Sequence, residues 1–162
     1  MSRDLGAEMP AALRERLDGR DLRGVMGRAH MVVTLDAQGR PHPAMLSYGD
    51  LLATGPAELR VATYRSSGTA NNLRRSGHFT LCFVDAGMAY YVKGRAEELP
   101  SMADFPKLTR FRVAVEQVLE DYSQAEIEGD ARILGGISFT VGDATEKWIA
   151  DWERLLKALP AP

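Results

Sequence analysis

The chain has 162 residues, and its 20 Lys and Arg against 22 Asp and Glu leave a formal net charge of −2. With 45% hydrophobic and 26% charged residues it has the make-up of one folded domain, which excludes global disorder, and it lacks the broad basic field of a nucleic-acid-binding domain. The single cysteine, Cys82, excludes an internal disulfide framework and any Cys-built metal site, while the lack of a secretory signal near Met1 and of a long apolar run predicts a cytoplasmic protein outside the membrane.

In chain order, Ala11 to Leu17 is predicted as a short helix entered through Pro10 and stopped by Gly19. His30 to Leu35 is apolar on both faces and rich in β-branched residues, the pattern of a buried strand. Asp36 to Arg40 turns the chain into an antiparallel second strand, Pro41 to Tyr48. Pro41 and Pro43 donate no ladder hydrogen bond, so this strand should start at an edge or bulge. After a turn at Gly55-Pro56, alternation over Glu58 to Thr63 gives a third strand. Ser66 or Ser67 then caps a helix of about two turns that Gly77 ends. His78 to Val84 and Ala89 to Ala96 are a fourth and fifth strand joined by the hairpin signal Asp85-Ala86-Gly87.

Arg110 to Asp121 fits both periods, and its three valines favour a strand, because β-branched residues lose rotamer freedom in a helix. Ala131 to Val141 is predicted as a further strand, with Gly135-Gly136 marking a bulge or a close backbone approach. The tail is an amphipathic helix. Asp143 and Glu146 form its capping pair, Trp148, Ile149, Trp152, Leu155, Leu156 and Leu159 its apolar stripe, and Glu153 and Lys157 an ion pair one turn apart. The whole predicts a mainly β fold with flanking helices: a six- or seven-stranded antiparallel barrel, a short helix after strand 3, and a C-terminal helix. Its boundaries fall at a helical segment 1–27, a barrel 28–142 and a closing helix 143–162 within a single domain.

Chemistry concentrates after the third strand. Thr63, Ser66, Ser67 and Thr69 offer hydroxyls, Arg65 a guanidinium and Asn72 an amide, all at the start of a helix. Free backbone N–H groups and the helix dipole make that place suited to a phosphate, which an arginine can grip with two charge-assisted bonds. Arg74 and Arg75 add to the local potential. A capped surface helix with solvated arginines is the competing reading. GxGxxG, Walker, HExxH and GxSxG patterns are absent, and His30, His42 and His78 are not spaced as metal ligands. Cys82, between Leu81 and Phe83, reads as a buried inert thiol.

The run Val32-Val33-Thr34-Leu35-Asp36-Ala37-Gln38-Gly39-Arg40-Pro41-His42-Pro43, followed by Leu59 to Thr63, Asn72 to Gly77 and Val92 to Ala96, resembles the pyridoxamine 5′-phosphate oxidase-like family of flavin-binding split barrels. The resemblance covers about Gly27 to Glu98 and rests on the order and spacing of these elements together. It implies a homodimer with FMN at the subunit interface and hydride transfer through flavin N5 to or from a small molecule. Carried over, the phosphate contacts fall on Arg65, Ser66, Ser67, Thr69 and Asn72. Backbone groups of Met45 to Ser47 and Val61 to Thr63, Ala62 included, would meet the ring, and either Lys93 or Arg95 would approach it. The closing Arg-x-His signature of the oxidase itself is missing, since the tail is a helix, and this leaves the substrate open. The same fold admits F420 as the hydride carrier, or a non-catalytic flavin or haem store with His78 or His42 as the haem ligand. Trp148 and Trp152 are placed in core or dimer packing ahead of covering a flavin, because they share the tail's apolar stripe.

Overall fold

The computed structural model describes residues 1–161. In order the elements are β1 (Ser2–Asp4), α1 (Ala11–Arg16), β2 (Arg28–Leu35), β3 (Pro41–Ser47), β4 (Leu51–Gly55), β5 (Glu58–Tyr64), α2 (Gly68–Ser76), β6 (His78–Asp85), β7 (Met88–Glu98), β8 (Leu108–Asp121), α3 (Ala125–Glu128), β9 (Ile137–Ser138) and α4 (Thr145–Ala158). The main sheet is antiparallel in the order β3-β2-β6-β7-β8-β5-β4, with β1 added on β8 and β9 on β2.

The sheet curls because its two end strands are consecutive in the chain. Only the 3-10 turn Tyr48–Asp50 separates β3 from β4, so the two ends of the path are tied together at that turn with no ladder between the strands. This open, curled sheet is the split barrel. Leu46, Val32, Leu81, Phe83, Val92, Phe111, Val113, Leu59, Val61 and Leu51 converge from all seven strands on one interior, which Leu13 and Leu17 plug from the α1 side. A second apolar cluster lies between α4 and the outer face of the sheet, where Trp152, Leu155, Leu156 and Leu159 pack on Ala62 and Leu22.

Several expectations hold for stated reasons. Arg110 to Asp121 is strand, its Phe111, Val113, Val115 and Val118 buried while the residues between them are exposed or partly so except Arg110. Gly77, at φ +66°, ends α2 in the left-handed region that glycine adopts without steric cost.

Others are corrected. Ala131 to Val141 is not a long strand. Apart from the two-residue β9 it runs irregularly along the surface, and Gly136 passes against the Val84 carbonyl, where a Cβ would sit 2.1 Å from that oxygen. Asp143 and Glu146 do not cap α4, which is entered through a 3-10 turn at Gly142–Ala144, and Glu146 instead takes two bonds from Arg23. On the exposed face of α4 the i,i+4 pair is Lys147 with Asp151 rather than Glu153 with Lys157. Beyond the expected strands stand β4 and the short β1.

Candidate functional site: the strand-to-helix junction after β5

β5 delivers the chain to α2 through a tight turn, in which the Ser67 amide donates to the Tyr64 carbonyl at 3.0 Å. Ser67 is the N-cap. Its hydroxyl accepts from the Ala70 amide at 3.0 Å and lies 3.2 Å from the Thr63 hydroxyl, so the last core-facing residue of the strand supports the first cap of the helix. Asn71 donates to the Ser67 carbonyl, and the amides of Gly68 and Thr69 remain without a partner. No acidic residue occupies the first turn of α2. The helix therefore presents two free N–H groups and the positive end of its dipole, with no carboxylate of its own to answer them.

Thr69 is 4% exposed as a residue, while its hydroxyl, bonded to no described residue, keeps access to solvent. At the second helical position its Cα–Cβ bond tilts toward the N-terminal end, where the free amides are. Ser66 is exposed beside it. From the β2–β3 hairpin the His42 ring comes over Gly68: a Cβ at that glycine would lie 3.2 Å from His42 Nε2 and 3.3 Å from Cε1. Thr34 donates to the His42 carbonyl at 3.4 Å and accepts from Asn72 Nδ2 at 3.0 Å. One short chain of bonds thus fixes β2, β3 and α2 to each other.

The predicted cluster is brought together in part. Thr63, Ser66, Ser67 and Thr69 lie at the junction as expected. Asn72 faces inward and positions the helix on β2, with its Oδ1 accepting from Arg75 at 3.2 Å. Arg65 turns its guanidinium away from the amides toward the chain before β8, donating to the carbonyls of Pro106 and Leu108, each at 3.2 Å. Arg74 does not add free positive charge. It forms a two-point pair with Glu98 (2.8 and 2.6 Å), whose carboxyl also accepts from Thr109. The Arg74 bonds lead in holding Glu98 down at about 2, against the opposing effect of burial. Arg75 is spent on the Leu35 carbonyl.

Of the expected ring contacts, Ala62 is fully buried under α4, its backbone paired with Arg110 in the β5–β8 ladder. Ser47 is engaged with Asp50, to which its amide (2.8 Å) and hydroxyl (2.6 Å) both donate. Met45 is exposed on β3 opposite Met31. Lys93 and Arg95 lie two residues apart on β7 and so share a face, contrary to the expectation that only one could look a given way. Lys93 donates to Gln117 at 3.0 Å, and Arg95 reaches the Ser76 carbonyl at the far end of α2. His78 is exposed at the start of β6. Trp152 is buried against Gly49, and Trp148 is partly exposed at its edge.

A curled antiparallel sheet with an anion-receptive helix terminus beside its third long strand defines a split-barrel protein. The sequence profile of the pyridoxamine 5′-phosphate oxidase family matches residues 26–140, and the chain belongs to that family. YclD of Bacillus subtilis (strain 168), itself uncharacterized, is 28% identical over 152 residues, which span 93% of this chain and 95% of YclD. A Lactobacillus delbrueckii protein provisionally assigned as a pyridoxamine 5′-phosphate oxidase superposes with a TM-score of 0.54 at 18% identity, covering 72% of this chain and 98% of its own. HupZ of Group A Streptococcus superposes at 0.53 with 17% identity, over 82% of this chain and all of HupZ. At such identities the likeness is one of fold. Among the described residues, no helix is long and apolar enough to cross a membrane.

Proposed function

We propose that the chain binds FMN, with the phosphate at the β5–α2 junction, and serves as a flavin-dependent oxidoreductase. The observation that carries this reading is the convergence of unpaired donors: the amides of Gly68 and Thr69 and the Thr69 hydroxyl. With the Ser66 hydroxyl they match the several oxygens of a terminal phosphate. Arg65 sits one side-chain swing away, bound only to neutral carbonyls that it can exchange for an anion. When bound, the flavin supplies hydride transfer at N5, and the protein's part is to anchor, orient and shield it.

Shielding calls for a second surface. By strand register, Met45, Met31, Cys82, Tyr91 and Leu119 stand side by side across five strands on the outer face of the sheet. All are exposed or partly so, including Cys82, which the sequence placed in the core. A contiguous apolar row of this kind suits a second copy of the chain, which would cover both the row and the flavin. The test is the absorption spectrum of the purified protein, with mass identification of what denaturation releases. A flavin spectrum with FMN released, bleached by a nicotinamide donor and restored by an acceptor, supports the reading. Released F420 or haem, or no binding of added FMN, overturns it.

A further inference from the structure

The junction contains one group that the reading above does not use. The His42 ring lies against Gly68 on the β3 side, half-buried and bonded to no described residue, beside the unpaired amides and the solvent-accessible Thr69 hydroxyl at the start of α2. Among the described residues no carboxylate pairs with His42, and the first turn of α2 offers none. The His42 backbone is held from behind, because the Thr34 hydroxyl that bonds its carbonyl is itself held by Asn72. What could satisfy all these donors at once is an anion with oxygens on several sides, seated between the imidazole and the helix end.

We propose that His42 is a phosphate-contacting residue that closes the cradle on the β3 side and makes it selective for ligands ending in a phosphate monoester. The proposal rests on the FMN reading for the identity of the ligand and on the geometry of His42, Gly68 and Thr69 for the contact. Gly68 is part of the arrangement: a Cβ there would lie 3.2–3.3 Å from the imidazole, which would have to give by a few tenths of an ångström.

The experiment is a pair of fluorescence titrations, FMN and riboflavin, on the full chain and on His42→Ala and His42→Gln, with inorganic phosphate followed at the Gly68 and Thr69 amides by NMR. FMN affinity should fall about tenfold in His42→Ala, the scale of one hydrogen bond to a charged group, and partly return in His42→Gln. Riboflavin, which lacks the phosphate, should bind all three alike, an outcome that a merely structural defect would not give. Gly68→Ala should reproduce the FMN loss if His42→Ala does not fold. FMN affinity unchanged in His42→Ala overturns the proposal and leaves the FMN reading standing. If the protein takes up no FMN at all, the phosphate titration decides: shifts at the two amides that vanish in His42→Ala support the cradle, and shifts absent or indifferent to the substitution overturn it.

Discussion

Burying an imidazole with neither nitrogen hydrogen-bonded costs stability, and His30 does so in the middle of the core, 2% exposed. Its ring stacks on Phe83 (4.3 Å between centroids) and meets Tyr48 edge-on. Beyond Tyr48 lies Asp85, also buried, which accepts from the Tyr48 hydroxyl at 2.7 Å and from Arg16 and Arg28. Burial lowers the His30 pKa to about 4, with the two arginines assisting and Asp85 opposing. Between that value and the ordinary 6.5 the unfolded chain binds a proton that the folded chain refuses, so stability falls as pH drops through that window. The wild type should lose on the order of 2 kcal/mol between pH 7 and pH 5 in urea melts, and His30→Leu should lose clearly less. Equal losses would contradict a neutral His30. Asp85 acts in a lower window. Burial alone would raise it, but bonds from Tyr48, Arg16 and the Ala86 amide bring it to about 2, so its contribution is lost only as pH falls below about 4.

Arg65→Ala belongs to the same scale. If the guanidinium swings from its carbonyl partners to the phosphate, FMN affinity should drop by about 1.5–3 kcal/mol in equilibrium titration, and no drop would mean that Arg65 stays on the chain before β8. The hydroxyl cluster and Arg65 were legible in the sequence because they are chain neighbours. His42 was not legible as a cradle residue, since 26 positions separate it from Gly68 and only the folded β2–β3 hairpin brings them together.

At the scale of elements, α2 depends on its cap. Ser67→Ala removes the acceptor of the Ala70 amide and the partner of Thr63, and should cost about 1 kcal/mol in chemical denaturation. A neutral effect would place the cap elsewhere. α4 is fastened to the Tyr48–Asp50 turn by Trp152, whose ring occupies the space a side chain at Gly49 would need, 2.0 Å from the Cβ position. Gly49→Ala should therefore destabilise by about 1–3 kcal/mol through overpacking, and an unaffected melting point would mean that α4 docks differently. The apolar stripe of α4 was plain in the sequence. Its start was not, because Asp143 and Glu146 have capping spacing while the folded chain gives Glu146 to Arg23. β4 escaped notice for another reason: Leu51 to Gly55 is short, follows a 3-10 turn and becomes a strand by pairing with β5.

For the whole molecule, the order of strands and turns was enough to read a barrel, since hairpin signals and alternation are local. That β3 and β4 become the two ends of the sheet was not readable, because it depends on the pairing of β2 with β6 and of β5 with β8, far apart in the chain. The outer row through Met31 and Met45 leads to the prediction that the chain is a dimer by sedimentation at micromolar concentration, and that Met31→Glu yields monomers with weakened FMN binding. A monomeric wild type, or a dimer indifferent to the charge, would contradict the assignment of that face. The position of the phosphate is the claim on which cofactor, cradle and interface all depend. A crystal structure of the protein grown with FMN tests it most directly. The account predicts phosphate density within hydrogen-bond distance of the Gly68 and Thr69 amides, and a phosphate found away from the start of α2 would contradict it.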